Sequence, residues 1–199
     1  PSEGKTTLAV NLALSFATGG EKTVLIDADL RKPRLHEVFD LKHLVNGNGL
    51  SSFLADVTNK LKTFNKYHEN LKVILAGPVP PNPAELLASK RFKLLLEELI
   101  SRCDRIILDG PPHIGFADTL ILSRCVGGIV LVSSIGETSR EAIGQFKKSI
   151  ININGTILGC VANKVDYSRK YGYGGYYRSY QKYGSYGLAE HNEEQLPVC

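Results

Sequence analysis

A chain of 199 residues, 43% hydrophobic and 22% charged, has the length and balance of one globular domain with a large core. Its net charge of +4 is too modest to point to any class of partner, and no run of 18 apolar residues is present to span a bilayer. Four cysteines (Cys103, Cys125, Cys160, Cys199) show no paired spacing, which speaks against zinc or a disulfide framework and for reduced thiols in a cytosolic setting.

The chain opens on Pro1-Ser2-Glu3-Gly4-Lys5-Thr6-Thr7, which matches the back half of the phosphate-binding pattern G-x-x-x-x-G-K-[ST]. In that pattern backbone N–H groups and a helix N-terminus hold phosphates, Lys reaches the outer ones and the hydroxyl binds Mg²⁺. Glu3, Gly4, Lys5, Thr6 and Thr7 are therefore candidate nucleotide-binding residues. A plain helix cap would also carry Gly-Lys-Thr. With no Met and a first residue of Pro, the sequence predicts a piece of a longer protein, with the strand that precedes a phosphate loop lying ahead of Pro1.

A helix is expected from about Thr6 to Ala17, ended by Gly19-Gly20, then a buried strand over Thr23–Asp27. The strand runs into Asp27-Ala28-Asp29-Leu30-Arg31-Lys32-Pro33, whose two carboxylates would both face a phosphate site if the chain turns at Pro33. A solvated strand-to-loop junction would show the same pair. Short helices are expected at Arg34–Phe39 and Ser51–Ala55, then a strand over Leu71–Ala76. Asn82 as N-cap, Pro83 and Glu85 mark the start of one helix running to about Arg102, with Leu86, Leu87, Leu94, Leu95, Leu99 and Ile100 on its buried face.

The next strand, Asp104–Asp109, is an apolar run ending in a carboxylate and broken by Gly110-Pro111-Pro112. That is the form of a metal-supporting Asp at the carboxyl end of a parallel strand, where open sheets bind ligands. A helix (Asp118–Cys125), a strand (Gly128–Val132), a helix opened by a Thr138-x-x-Glu141 capping box and a strand (Thr156–Ala162) complete the series. Alternating strands and helices predict an α/β fold, a doubly wound, mostly parallel sheet with helices on both faces.

Composition changes at Tyr167. From there to Gly187 the chain has eight of its nine tyrosines, with Arg169, Lys170, Arg178 and Lys182 and no Leu, Ile, Val or Phe. Such a segment builds no core, so residues 1–166 are expected to form the domain and 167–199 a tail.

Taken together, the opening motif, Val24-Leu25-Ile26-Asp27-Ala28-Asp29-Leu30-Arg31, Ile106-Ile107-Leu108-Asp109, Asn82-Pro83-Ala84-Glu85-Leu86-Leu87 and the tyrosine cluster resemble the bacterial tyrosine kinases of exopolysaccharide and capsule synthesis, over nearly the whole chain. The resemblance places Lys5 and Thr6 on that family's Walker A motif, Asp27 and Asp29 on Walker A′ and Asp109 on Walker B. It implies ATP and Mg²⁺ as cofactors, with Thr6, Asp27, Asp29 and Asp109 around the metal and Lys5, Asp27, Asp29 and Asp109 as the catalytic set. Asn163 and Lys164 would flank the adenine. Phosphoacceptors would be Tyr171, Tyr173, Tyr176, Tyr177, Tyr180, Tyr183 and Tyr186, phosphorylated between subunits. The implied partners are further copies in a ring-like homo-oligomer, a membrane polysaccharide co-polymerase (chain-length adaptor, fused upstream or separate) and a tyrosine phosphatase, with no nucleic acid. The implied location is cytoplasmic, at the inner face of the cell membrane. Each phosphate adds roughly −1.5 to −2, so two or three would cancel the tail's basic charge and weaken its docking.

The sequence departs from the family in Gly110, where a Thr or Ser is usual, and the family's oligomer-forming motif would lie ahead of Walker A. The alternative function is a MinD- or ParA-like ATPase switch without kinase activity, although Pro1-Ser2-Glu3 does not match the Gly-Gly-x of that group and the tyrosines stay unexplained. Asn163-Lys164-Val165-Asp166 also fits a GTPase's Asn-Lys-x-Asp, but Pro112 stands where Asp-x-x-Gly needs Gly.

Overall fold

The computed structural model describes residues 3–41, 48–65, 67–112 and 117–165. The chain divides into two compact units, Pro1–Asn163 and Lys164–Cys199. Of the second only Lys164 and Val165 are described, and Lys164 has a left-handed backbone (φ 55°). The seven candidate phosphoacceptor tyrosines lie outside the described residues.

In the first unit, α1 (Lys5–Thr18) leads into β1 (Thr23–Asp27), then α2 (Leu35–Val38), α3 (Leu50–Leu54), β2 (Leu71–Ile74), α4 (Pro83–Leu87), α5 (Lys90–Ile100), β3 (Arg105–Asp109), α6 (Asp118–Ser123), β4 (Ile129–Ser134), α7 (Arg140–Asn152) and β5 (Ile157–Asn163). The described strands pair with one another in parallel, as helical crossovers require, and Phe64 adds one isolated antiparallel bridge to Val73 of β2. The strands form two sheets, however: β2-β1-β3 and β4-β5. No described strand lies between β3 and β4 to hydrogen-bond them into one.

β1 is the centre of the larger sheet, buried along its whole length. Alternation along it feeds two cores. Val24 and Ile26 pack with Ile74 and with Leu50, Leu87, Phe92, Leu95 and Leu122 from α3 to α6. Leu25 packs with Leu71, Val73 and the α1 residues Ala9, Ala13 and Ala17. Small residues at i, i+4 and i+8 give α1 a flat stripe, which brings its backbone close to the strands.

The expected single helix from Pro83 to Arg102 is two helices. Ser89 interrupts it, its hydroxyl accepting a hydrogen bond from Phe92 N (3.2 Å) and capping α5. The break resets the helical phase, so Phe92, Leu95 and Leu96 face the core while Leu94 and Ile100, expected inside, are exposed. Asn82 makes no cap to the backbone; its amide donates to Glu85 (2.6 Å) instead. At α7 the cap is Ser139, which accepts from Ala142 N (3.1 Å). Thr138, expected there, accepts from Ser134 N (3.1 Å) and closes the turn after β4.

Candidate active site

Parallel register sets Asp27 of β1 beside Asp109 of β3, the last residue of each strand. The next peptide continues the ladder, Ala28 N donating to Asp109 O (2.9 Å). Two carboxylates far apart in sequence thus share the carboxyl end of the sheet, where the chain leaves both strands and backbone polarity is open to a ligand.

Their surroundings differ. Asp27 is fully buried; its Oδ2 accepts from Leu35 N (3.0 Å) and Arg34 N (3.1 Å), capping the start of α2. Its Oδ1 is buried with no hydrogen-bond partner among the described residues. Burial pushes the Asp27 carboxyl up to about 7, with Asp109 and Asp29 adding to the rise against the two backbone donors. Burial likewise raises Asp109, to about 6, although the Thr6 hydroxyl hydrogen-bonds its carboxylate and Lys5 attracts it. Asp29, two residues beyond the strand, is only half-buried; its Oδ1 accepts from Lys32 N (2.9 Å) and Arg31 N (3.2 Å), folding the turn on itself.

Opposite the carboxylates stands the start of α1. Gly4 precedes it with a left-handed backbone (φ 92°), and a Cβ there would collide with the Asn163 amide. The first turn of any helix leaves N–H groups without an intrahelical partner, and Gly4 lets this turn present them to phosphates. Lys5 Nζ lies 2.7 Å from Glu3 Oε2. Although burial raises the Glu3 carboxyl, the Lys5 hydrogen bond helps hold it well below the usual carboxylate range. Thr7 is exposed on α1. Asn163, the last residue of β5, donates its side-chain N–H to Glu3 O (2.8 Å). The contact described for it is therefore with the phosphate loop's backbone.

Glu3, Gly4, Lys5, Thr6, Asp27, Asp29, Asp109 and Asn163 are thus assembled around one place, with Thr7 on the same helix. Sequence reasoning missed Asp118, whose side chain is 1% exposed and which grips Arg31 through two hydrogen bonds (Nε–Oδ2 2.5 Å, Nη2–Oδ1 3.1 Å). The available signal was an acidic residue opening an apolar helix, together with the basic residue at the end of Asp-x-Asp-x-Arg.

A divalent cation fits this chemistry. The unpartnered Asp27 Oδ1 and the Asp109–Thr6 pair are hard oxygen donors within a group of mutually repelling carboxylates. The described residues contain no cluster of three or more His, Cys, Asp or Glu able to hold a metal without further ligands. A nucleotide-supported Mg²⁺, which keeps waters and shares phosphate oxygens, needs none.

Residues 2–182 match the family model described as the CobQ/CobB/MinD/ParA nucleotide binding domain. The chain is 42% identical over 180 residues to tyrosine-protein kinase YwqD of Bacillus subtilis (strain 168), covering 88% of this chain and 74% of that one. It is 38% identical over 186 residues to tyrosine-protein kinase CpsD of Streptococcus pneumoniae, covering 92% and 80%. Among solved structures, the VpsO kinase domain superposes with a TM-score of 0.77 at 33% identity, over 83% of this chain and 81% of that one. Pyrococcus furiosus MinD, at 20% identity and a TM-score of 0.68, shares the fold. The chain therefore belongs to the CobQ/CobB/MinD/ParA nucleotide-binding family and, within it, to the bacterial tyrosine-protein kinases.

Proposed function

We propose that this kinase transfers the γ-phosphate of ATP to tyrosines of its own cluster, Tyr171 to Tyr186, with one copy serving its neighbour. The Asp27–Asp109 pair, raised by burial and facing Lys5 and Thr6, is the observation that carries this reading. Relatives at 36–42% identity, named as tyrosine-protein kinases, favour it over a MinD-like switch.

Phosphoryl transfer asks the protein for position and charge rather than covalent chemistry. Lys5 would leave Glu3 for the outer phosphates, while the N–H groups at the start of α1 hold the inner ones. Mg²⁺, when bound through Thr6, Asp27, Asp29 and Asp109, supplies positive charge to the phosphate oxygens. A phenol of pKa about 10 loses its proton on attacking phosphorus, and one of the carboxylates Asp27, Asp29 and Asp109 is suited to accept it. Glu3, Thr7 and Asn163 complete the proposed nucleotide site.

In the cell the activity would regulate exopolysaccharide or capsule synthesis and chain length. Its partners would be further copies in a ring, a membrane chain-length adaptor and a phosphatase that resets the cluster. The chain would work at the inner face of the membrane; among the described residues no helix is long and apolar enough to cross one.

The test is intact mass of the native protein after Mg²⁺–ATP, with Lys5→Met as control. Steps of ~80 Da mapped to Tyr171–Tyr186, and absent from the control, are the expected result. ATP turnover without added mass would overturn the kinase reading.

A further inference from the structure

We infer that Arg31 and Asp118 are a positioning pair that fixes the Asp29 turn against the Asp27–Asp109 carboxylates and keeps the Arg31 guanidinium off Asp29. The inference rests on the proposed metal role of those carboxylates.

The turn after β1 is fastened at successive residues. Ala28 is tied to Asp109 O, Asp29 accepts the N–H groups of Arg31 and Lys32, and Asp27 receives those of Arg34 and Leu35. All of these bonds are either local or made by backbone that continues the sheet. Arg31–Asp118 is different: it reaches across 87 positions to the first residue of α6. Its geometry is a two-bond fork, which sets the direction of the arginine as well as its distance. Asp118 is 99% enclosed while Arg31 is about a third exposed, so the carboxylate is the built-in half and the arginine is what it holds.

The second consequence is electrostatic. Arg31 also feels the charge of Asp29. A guanidinium able to choose would pair with that half-buried carboxylate and cover a donor meant for the metal. With two of its N–H edges engaged by Asp118, Arg31 stays beside Asp29 as a neighbour. The pair touches neither nucleotide nor acceptor in this scheme and is a positioning device.

The experiment measures ADP binding to the native protein with Mg²⁺ and with EDTA, alongside steady-state kinase kinetics, for wild type, Arg31→Lys, Asp118→Asn and Arg31→Met/Asp118→Leu. The double variant replaces the ion pair by apolar side chains of similar size, an exchange that folded proteins tolerate. Expected for Asp118→Asn and the double variant is a loss of about 10-fold or more in the Mg²⁺-dependent part of ADP affinity, with affinity in EDTA unchanged. The kcat should fall about 10- to 100-fold, the usual range for residues that orient metal ligands, with the KM for Mg²⁺–ATP rising in step with the lost Mg²⁺–ADP affinity. Arg31→Lys, which keeps the charge but loses the fork, should fall between these and wild type. A folded double variant with wild-type Mg²⁺–ADP affinity would overturn the inference, as would equal losses with Mg²⁺ and with EDTA. Wild type that binds Mg²⁺–ADP but adds no phosphate to tyrosine would instead remove the kinase reading and leave this test standing.

Discussion

β1 and β5 are both parallel strands that end on a candidate site residue, yet one is buried along its whole length and the other is mostly exposed. β1 has a strand on each edge and helices over both faces. Among the described residues β5 pairs with β4 alone, and Leu158 and Val161 are exposed. The difference shows where the chemistry of the site comes from. Asp27 ends a strand already stripped of water, so its carboxyl is raised, whereas Asn163 ends a strand that is mostly exposed among the described residues and ties its side chain to the phosphate loop through Glu3 O. Burial here is a functional property of the sheet as well as a source of stability.

The contrast can be broken directly. Leu25→Ala at the fully buried centre of β1 should cost about 2–5 kcal/mol in chemical denaturation. Leu158→Ala on β5 should cost less than about 1 kcal/mol. Comparable losses at the two sites would mean that β5 is covered in solution.

The raised carboxyls give a pH signature. Asp27 binds its proton up to about pH 7 in the folded chain but only to 3.8, its ordinary value, when unfolded. Between those values the folded state holds more protons, so stability falls as pH rises through that window. Asp109 adds a similar fall between 3.8 and about 6. The combined drop, on the order of a few kcal/mol, should appear in urea melts from pH 4 to pH 7.5. Asp27→Asn should flatten it, and an unchanged slope in that variant would place the effect elsewhere.

Two smaller changes probe the joint where β5 meets the phosphate loop. Gly4→Ala forces a side chain into a left-handed residue and against Asn163, so it should destabilise by about 1–3 kcal/mol and weaken ADP binding. Asn163→Ala removes the bond to Glu3 O and should cost about 1 kcal/mol, with a modest loss of ADP affinity. If Asn163→Ala were the more damaging to ADP binding, a direct contact of Asn163 with the base would explain it.

The strands were legible as short apolar runs, and the aspartates of β1 and β3 because each ends such a run in a carboxylate. Helix boundaries were less so. Asn82 does stand at the N-cap of α4, but its side chain bonds Glu85 rather than the backbone, and at α7 the cap falls to Ser139 while Thr138 bonds the turn after β4. The Leu-rich stretch from Leu86 to Ile100 fits one helix on periodicity alone, and only the Ser89 break shows which leucines face inward.

By itself, then, the sequence determined the parallel α/β class, the phosphate loop and the three aspartates, since each depends on neighbours a few residues away. The tertiary structure decided what those groups meet. Strand register put Asp27 beside Asp109, packing on both faces of β1 removed water from them, and α6 brought Asp118 to Arg31. Proximity between residues tens of positions apart, and the dielectric around a charge, are set by how the elements pack, and no local stretch of chain encodes either alone.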